Sequence, residues 1–103
     1  MIIKNNIISG LPEKYQIDIN NAIKILSESG CKEIFLFGSL VNGNFTNKSD
    51  IDIAVNGIKA NEYFKILGKL IFSLNNSVDL VDLDENSRFV KFLLKKEELI
   101  RVA

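Results

Sequence analysis

Residues 49–53 read Ser-Asp-Ile-Asp-Ile, and this alternation of acid and isoleucine leaves the chain little conformational choice. Side chains on a strand point to opposite faces with period 2. Asp50 and Asp52 therefore share one face, and Ile51 and Ile53 share the other. The apolar face is predicted to pack on a core while the acidic face looks into a cleft. Two carboxylates side by side raise each other's pKa unless a cation sits between them. Hard oxygen ligands on a rigid element suit Mg²⁺ or Mn²⁺.

Upstream lies the apolar run Ile34-Phe35-Leu36-Phe37, stopped by Gly38-Ser39 and followed by a polar, Gly- and Asn-rich loop over 42–48. A continuous apolar run of this length fits a strand buried on both faces. Gly38 reaches backbone angles closed to other residues and lets a ligand approach the main chain. Ser39 offers a hydroxyl, and residues 40–43 are expected to form one short helical turn. Free N–H groups and the helix dipole favour anions at such a start. A phosphate grip and a divalent metal site would then lie at the ends of neighbouring strands, as a metal-bound nucleoside triphosphate requires.

The rest of the chain is expected to build a sheet and its cover. Residues 1–10, with Ile2-Ile3 and Ile7-Ile8, read as a short strand or an ordered arm. Tyr15, Ile19, Ala22, Ile23 and Leu26 recur at helical spacing. They predict a helix over 12–29 that begins at Pro12, ends at Gly30 and allows a break near Ile17. Asn56-Gly57 signals a turn. A second long helix is predicted over 61–74, with Tyr63, Phe64, Leu67, Leu70, Ile71 and Leu74 as its buried stripe. A third strand follows over 78–83, then a helix over 85–96 capped by Asp84, and a last short strand over 99–102. The third strand carries Asp79 and Asp82, which lie three apart and so face opposite sides. In the last helix Phe89, Val90, Phe92, Leu93 and Leu94 cover about 200° of the circumference, wider than the roughly 100° stripe of a surface helix. That width suits a helix buried between sheet and last strand, or one that docks a partner. Alternating helices and strands place the chain in the α/β (α+β) class, with helices packed on a small mixed β-sheet.

Composition removes several classes of function. Thirteen basic and thirteen acidic residues cancel, which gives no electrostatic basis for non-specific nucleic-acid binding. One cysteine excludes a disulfide framework, and with no histidine a zinc site lacks its ligands. Cys31, after a helix-ending glycine, reads as a packing residue. The absence of histidine also excludes Ser39 as the nucleophile of a Ser-His-Asp triad. Apolar stretches fall short of the roughly 18 residues of a membrane span, and no signal peptide is visible. One cytoplasmic domain over residues 1–103 is expected.

Gly38-Ser39, ten intervening residues, then Asp50-x-Asp52 resembles the signature of the DNA polymerase β-like nucleotidyltransferase superfamily. Length and surroundings look most like its smallest branch, the minimal nucleotidyltransferases or MNT antitoxins. The resemblance spans residues 12–102. It implies a polymerase β-like fold and transfer of AMP from ATP, with two Mg²⁺ ions held by Asp50, Asp52 and a third acid from a later strand. The Val78-Asp79-Leu80-Val81 pattern makes Asp79 that acid by analogy, at the acceptor side, and Gly38 with Ser39 the grip on the triphosphate. Many relatives read Gly-Ser-x-Ala-Arg-Gly, whereas this chain has Asn42 at the arginine position, which leaves Lys48 or Arg88 as substitute cations. Larger relatives bind their acceptor with a further domain. Here the resemblance implies a partner chain, a HEPN-type toxin silenced by AMP transfer to a tyrosine. A non-catalytic antitoxin that acts by binding, and a catalytic subunit that modifies a small molecule, are the competing readings. Oligomerisation is compatible with all three.

Overall fold

The computed structural model describes residues 5–96 and 99–103. Four strands form one sheet: β1 (Glu33–Phe37), β2 (Ile51–Asn56), β3 (Val78–Asp82) and β4 (Ile100–Arg101). Their spatial order is β3-β2-β1-β4. The β1–β2 and β1–β4 pairs are antiparallel and the β2–β3 pair is parallel. A parallel neighbour needs a crossover connection, and the second long helix supplies it.

Around the sheet are α1 (Asn5–Ser9), α2 (Glu13–Glu28), α3 (Ser39–Asn42), α4 (Tyr63–Ser73) and α5 (Arg88–Lys96). A 3₁₀ turn, Ala60–Glu62, leads into α4. The arm expected as a strand near the start is helical over Asn5–Ser9, and Ile7 and Ile8 pack on the core. Ile2 and Ile3 lie outside the described residues. Helix α2 runs unbroken past Ile17, with Pro12 at its N-cap and Gly30 at φ +94° just beyond its end.

Two apolar clusters lie on the two sides of the sheet. On one side Ile34, Leu36, Ile51, Ile53, Val55 and Leu80 pack against Tyr15, Ile19 and Leu26 of α2 and Ile66 and Leu70 of α4. On the other, Phe35, Phe37, Ala54 and Val81 pack against Val90 and Leu93 of α5 and against Leu99. The period-2 alternation of each strand divides the residues between the two sides. Strand β1 is therefore buried on both, as its continuous apolar run predicts.

Three expectations about the helices are corrected. In α4 and its C-cap the inward line is Ile66, Leu70 and Leu74, spaced by four. Phe64 and Ile71 lie about 100–120° around the helix from the centre of that line and are 80% and 61% exposed. Helix α5 starts at Arg88 rather than Glu85, and its first-turn amide at Val90 donates to Ser87 Oγ (3.1 Å). Asp84 instead accepts the Gly57 N–H (2.8 Å) and holds the turn after β2. Finally, α5 is buried along Val90 and Leu93, while Phe89, Phe92 and Leu94 are about half exposed.

Candidate active site

Asp52 lies where the β2 alternation places it, whereas Asp50, expected as the first residue of that strand, falls just before it. Asp52 is on the α5 side of the sheet, opposite the buried Ile51 and Ile53. Its register partners are Phe37 at the end of β1 and Asp79 on β3. Asp52 and Asp79 thus sit side by side on neighbouring parallel strands, on one face. Asp50 lies one residue before β2 and is exposed, as is Asp79; Asp52 is half-buried. Helix α5 covers this face over Ala54 and Val81. The edge-to-face contact of Phe37 with Phe89 (6.3 Å) brings the first turn of α5 toward the Asp52 end of the strands.

Asp82 is separated from this group. It pairs with Val55 at the other end of β3 and lines a cleft of about 590 Å³ with Ile58, Tyr63, Asp84 and Glu85. A second cleft, of about 370 Å³, opens beside Asn75–Val78 at the entrance to β3, next to Asp79.

Gly38 is what lets β1 end beside Asp52. Its backbone is at φ +74° and ψ −150°, a region that is essentially glycine-only. A Cβ there would meet Asp52 Oδ2 at 2.2 Å. The main chain passes directly against the carboxylate, and only a residue without a side chain allows it. Ser39 then opens α3, whose first turn closes with Val41 N–H and Asn42 N–H donating to Gly38 O (3.1 and 3.0 Å). The amides of Ser39 and Leu40 precede that first bond, so they lie at the anion-favouring end of the turn. Asn42, at the position where many relatives have arginine, is exposed and turns its side chain back to accept the Asn44 N–H (3.0 Å).

Electrostatics single out Asp52. Loss of solvent, then the charge of Asp79, then that of Asp50 push its carboxyl up from 3.8 to about 6. Among the described residues no three His, Cys, Asp or Glu side chains converge as a ready-made metal cage. The donor type nonetheless fits Mg²⁺, which takes one or two carboxylates and completes its shell with water and substrate phosphates. A cation among these acids would offset the repulsion that raises Asp52.

Cys31 is partly buried on the α2 side, and burial with the nearby Asp82 charge pushes its thiol up to about 11. That fits a packing role and not a nucleophile.

Two buried polar residues near the acids escape periodicity reasoning. Tyr15 reads as a plain member of the α2 stripe, yet its hydroxyl contacts the carbonyls of Thr46 (3.0 Å) and Ser49 (2.9 Å). Asp18 is wholly buried and accepts from the Asn75 and Asn76 main chains (3.0 and 2.7 Å). The available signal was an acid lodged between Tyr15 and Ile19 on an apolar stripe.

Known proteins resemble this chain along most of its length. The family profile described as Polymerase beta, Nucleotidyltransferase matches residues 20–102. A Methanocaldococcus jannaschii protein provisionally named a protein adenylyltransferase is 35% identical over 68 residues, covering 65% of this chain and 52% of that protein. The chain thus spans about half the length of this curated relative. A crystal structure of a toxin–antitoxin with AMP-PNP superposes with a TM-score of 0.65 at 31% identity, over 80% of this chain and 69% of that one. A tri-AMPylated Shewanella oneidensis HEPN toxin in complex with an MNT antitoxin gives a TM-score of 0.52 at 34% identity, over 70% and 58% of the two chains.

Proposed function

Because the chain belongs to the polymerase β nucleotidyltransferase family, we propose that it transfers AMP from ATP to a tyrosine hydroxyl of a HEPN-type toxin and so acts as the antitoxin of a pair. The observation that carries the reading is the register of Asp52 with Asp79 on one open face, with Gly38 pressed against Asp52. The similarity to a toxin–antitoxin with AMP-PNP and to an MNT antitoxin bound to an AMPylated toxin supports both the donor and the acceptor.

Asp50, Asp52 and Asp79 would hold Mg²⁺, two ions in the full reaction. Bound there, Mg²⁺ supplies charge neutralisation on the triphosphate and a lowered pKa at the acceptor hydroxyl. The main-chain amides of Ser39 and Leu40 and the Ser39 hydroxyl take the triphosphate tail, with Gly38 allowing its close approach. Tyrosine, with a pKa near 10, is a poor nucleophile at neutral pH. Asp79, exposed at the sheet edge beside Asp52, accepts its proton. The tyrosine oxygen then bonds to the α-phosphorus as the bond to the bridging oxygen breaks, and pyrophosphate leaves. The added phosphate would place negative charge on the toxin where RNA must approach.

The test is the intact mass of the toxin after incubation with this protein, ATP and Mg²⁺. A gain of one or more AMP units is expected with the wild type, and none with Asp50→Asn/Asp52→Asn. Asn42 in place of arginine favours one second reading, neutralisation by binding alone. An unmodified toxin silenced in a stable complex is the result that would establish it.

A further inference from the structure

One edge of α2 grips both of the loops that lead into the acid-bearing strands. Tyr15, wholly buried, shares its single hydroxyl proton between the carbonyls of Thr46 (3.0 Å) and Ser49 (2.9 Å), in the loop that ends at Asp50. Three residues on, and so on the same helix face, Asp18 receives the main-chain N–H groups of Asn75 and Asn76 and the Asn76 side-chain amide (3.0, 2.7 and 2.7 Å). That second loop runs into β3 and Asp79. The two entrances also meet each other, since Ile51 N–H donates to Ser77 O (2.8 Å). Lys14 joins in, with its ammonium on Asn47 O and its carbonyl accepting from the Asn76 amide (3.4 Å).

A core helix needs none of this for packing. Burying a carboxylate is costly unless its oxygens are satisfied, and here the partners come from the Asn75-Asn76 loop. We propose that Tyr15 and Asp18 are positioning residues: α2 sets the spacing of the entrances to β2 and β3, and thereby holds Asp50 and Asp52 opposite Asp79 for a metal–nucleotide complex. The proposal rests on the nucleotidyl-transfer reading for its ligand, and on the loop contacts alone for its mechanics.

Two measurements on the whole protein separate those two supports. The first is Mn²⁺ binding in the presence of AMP-PNP, read from the resonance of free Mn²⁺, for wild type, Tyr15→Phe, Asp18→Asn and Ile19→Val. The last loses core contacts on the same helix but has no hydrogen-bonding group to lose. Supporting shells around metal ligands are worth about 10–100-fold in affinity. Tyr15→Phe and Asp18→Asn are expected to weaken binding by about tenfold, and Ile19→Val to leave it unchanged in the folded protein. The second is hydrogen exchange of the Ile51 amide without metal. It is expected to speed up in both positioning variants, with the Leu36 and Ile53 amides unaffected. Wild-type affinity together with wild-type exchange at Ile51 in Tyr15→Phe overturns the proposal, as does an equal affinity loss in Ile19→Val. A wild type that binds no Mn²⁺ with AMP-PNP refutes the transfer reading, and Ile51 exchange then decides the clamp by itself. Should Asp18→Asn not fold, Tyr15→Phe carries the test, because it keeps the buried ring.

Discussion

The two faces of the sheet are built to different standards. On the α2–α4 side, two helices press a continuous aliphatic layer onto all three principal strands, and residues such as Leu26, Ile51, Val55 and Leu70 have no measurable exposure. On the α5 side, a single nine-residue helix covers the middle of the sheet. The strand positions beyond it carry Asp52 and Asp79. Because alternate residues of the same strands serve both faces, the closed face anchors what the open face exposes. Asp52 is held at its place on the open face because Ile51 and Ile53, on either side of it in the strand, are buried in the closed one.

This division can be broken by exchanging what each face contributes. The largest effect on transfer is expected from Asp52→Asn. Loss of a proposed direct ligand should exceed the roughly hundredfold upper range for a supporting residue, measured as the initial rate of AMP incorporation. The fold should survive, because the change relieves like-charge repulsion. Ile53→Ala on the opposite side of the same strand should do the reverse. It removes a fully buried side chain at a cost of about 2–4 kcal/mol in urea unfolding, and the folded fraction should keep most of its activity.

Gly38→Ala tests the point where the faces meet. Backbone strain of about 1–3 kcal/mol adds to a clash with Asp52 Oδ2, so stability and nucleotide binding should fall together. A variant that binds AMP-PNP like the wild type would show that the carboxylate can swing clear.

A smaller effect should appear with pH in metal-free protein. The folded-state pKa of Asp52 is raised, to about 6 from 3.8. The stabilisation that goes with its protonated form is therefore complete below about 3.8 and is lost as pH rises through about 6. Asp52→Asn should be more stable than wild type at pH 7.5, and the difference should shrink as pH falls through 6 towards 4 in thermal unfolding with chelator. The smallest effect is expected on the outside of α5, where Leu94→Ser should change stability by about 0.5 kcal/mol or less.

The open face was the more legible of the two. Strand alternation around Asp50 and Asp52, the apolar run of β1 and the glycine before Ser39 are local patterns, and the strands form where those patterns place them. What was not legible depends on contacts distant in sequence. Asp18 bonds to residues 57 and 58 positions away, so local spacing carries no trace of its partners. Periodicity alone accepted Phe64 and Ile71 as core because the α4 sequence is apolar around most of its girth, and only the position of the sheet settles which line faces inward. The α5 cap is ambiguous in the sequence because Asp84 and Ser87 are both good caps, and only the fold shows that the Gly57 amide occupies Asp84. The proposed choice of Asp79 over Asp82 rested on a family resemblance, since two acids three apart on a strand are equivalent until the pairing with β2 is known.

The register that sets Asp79 beside Asp52 also bears on how faithfully the sheet assembles. A slip of one residue between β2 and β3 would turn every β3 side chain to the other face. Asp79 would then enter the aliphatic layer under α2 and α4, and Leu80 would be expelled from it. Burying an unpaired carboxyl there is costly even when it takes up a proton, so the mispaired sheet would be less stable than the native one. The acid proposed for chemistry would thereby also disfavour a one-residue slip of β3 against β2, which an apolar residue at position 79 would oppose less.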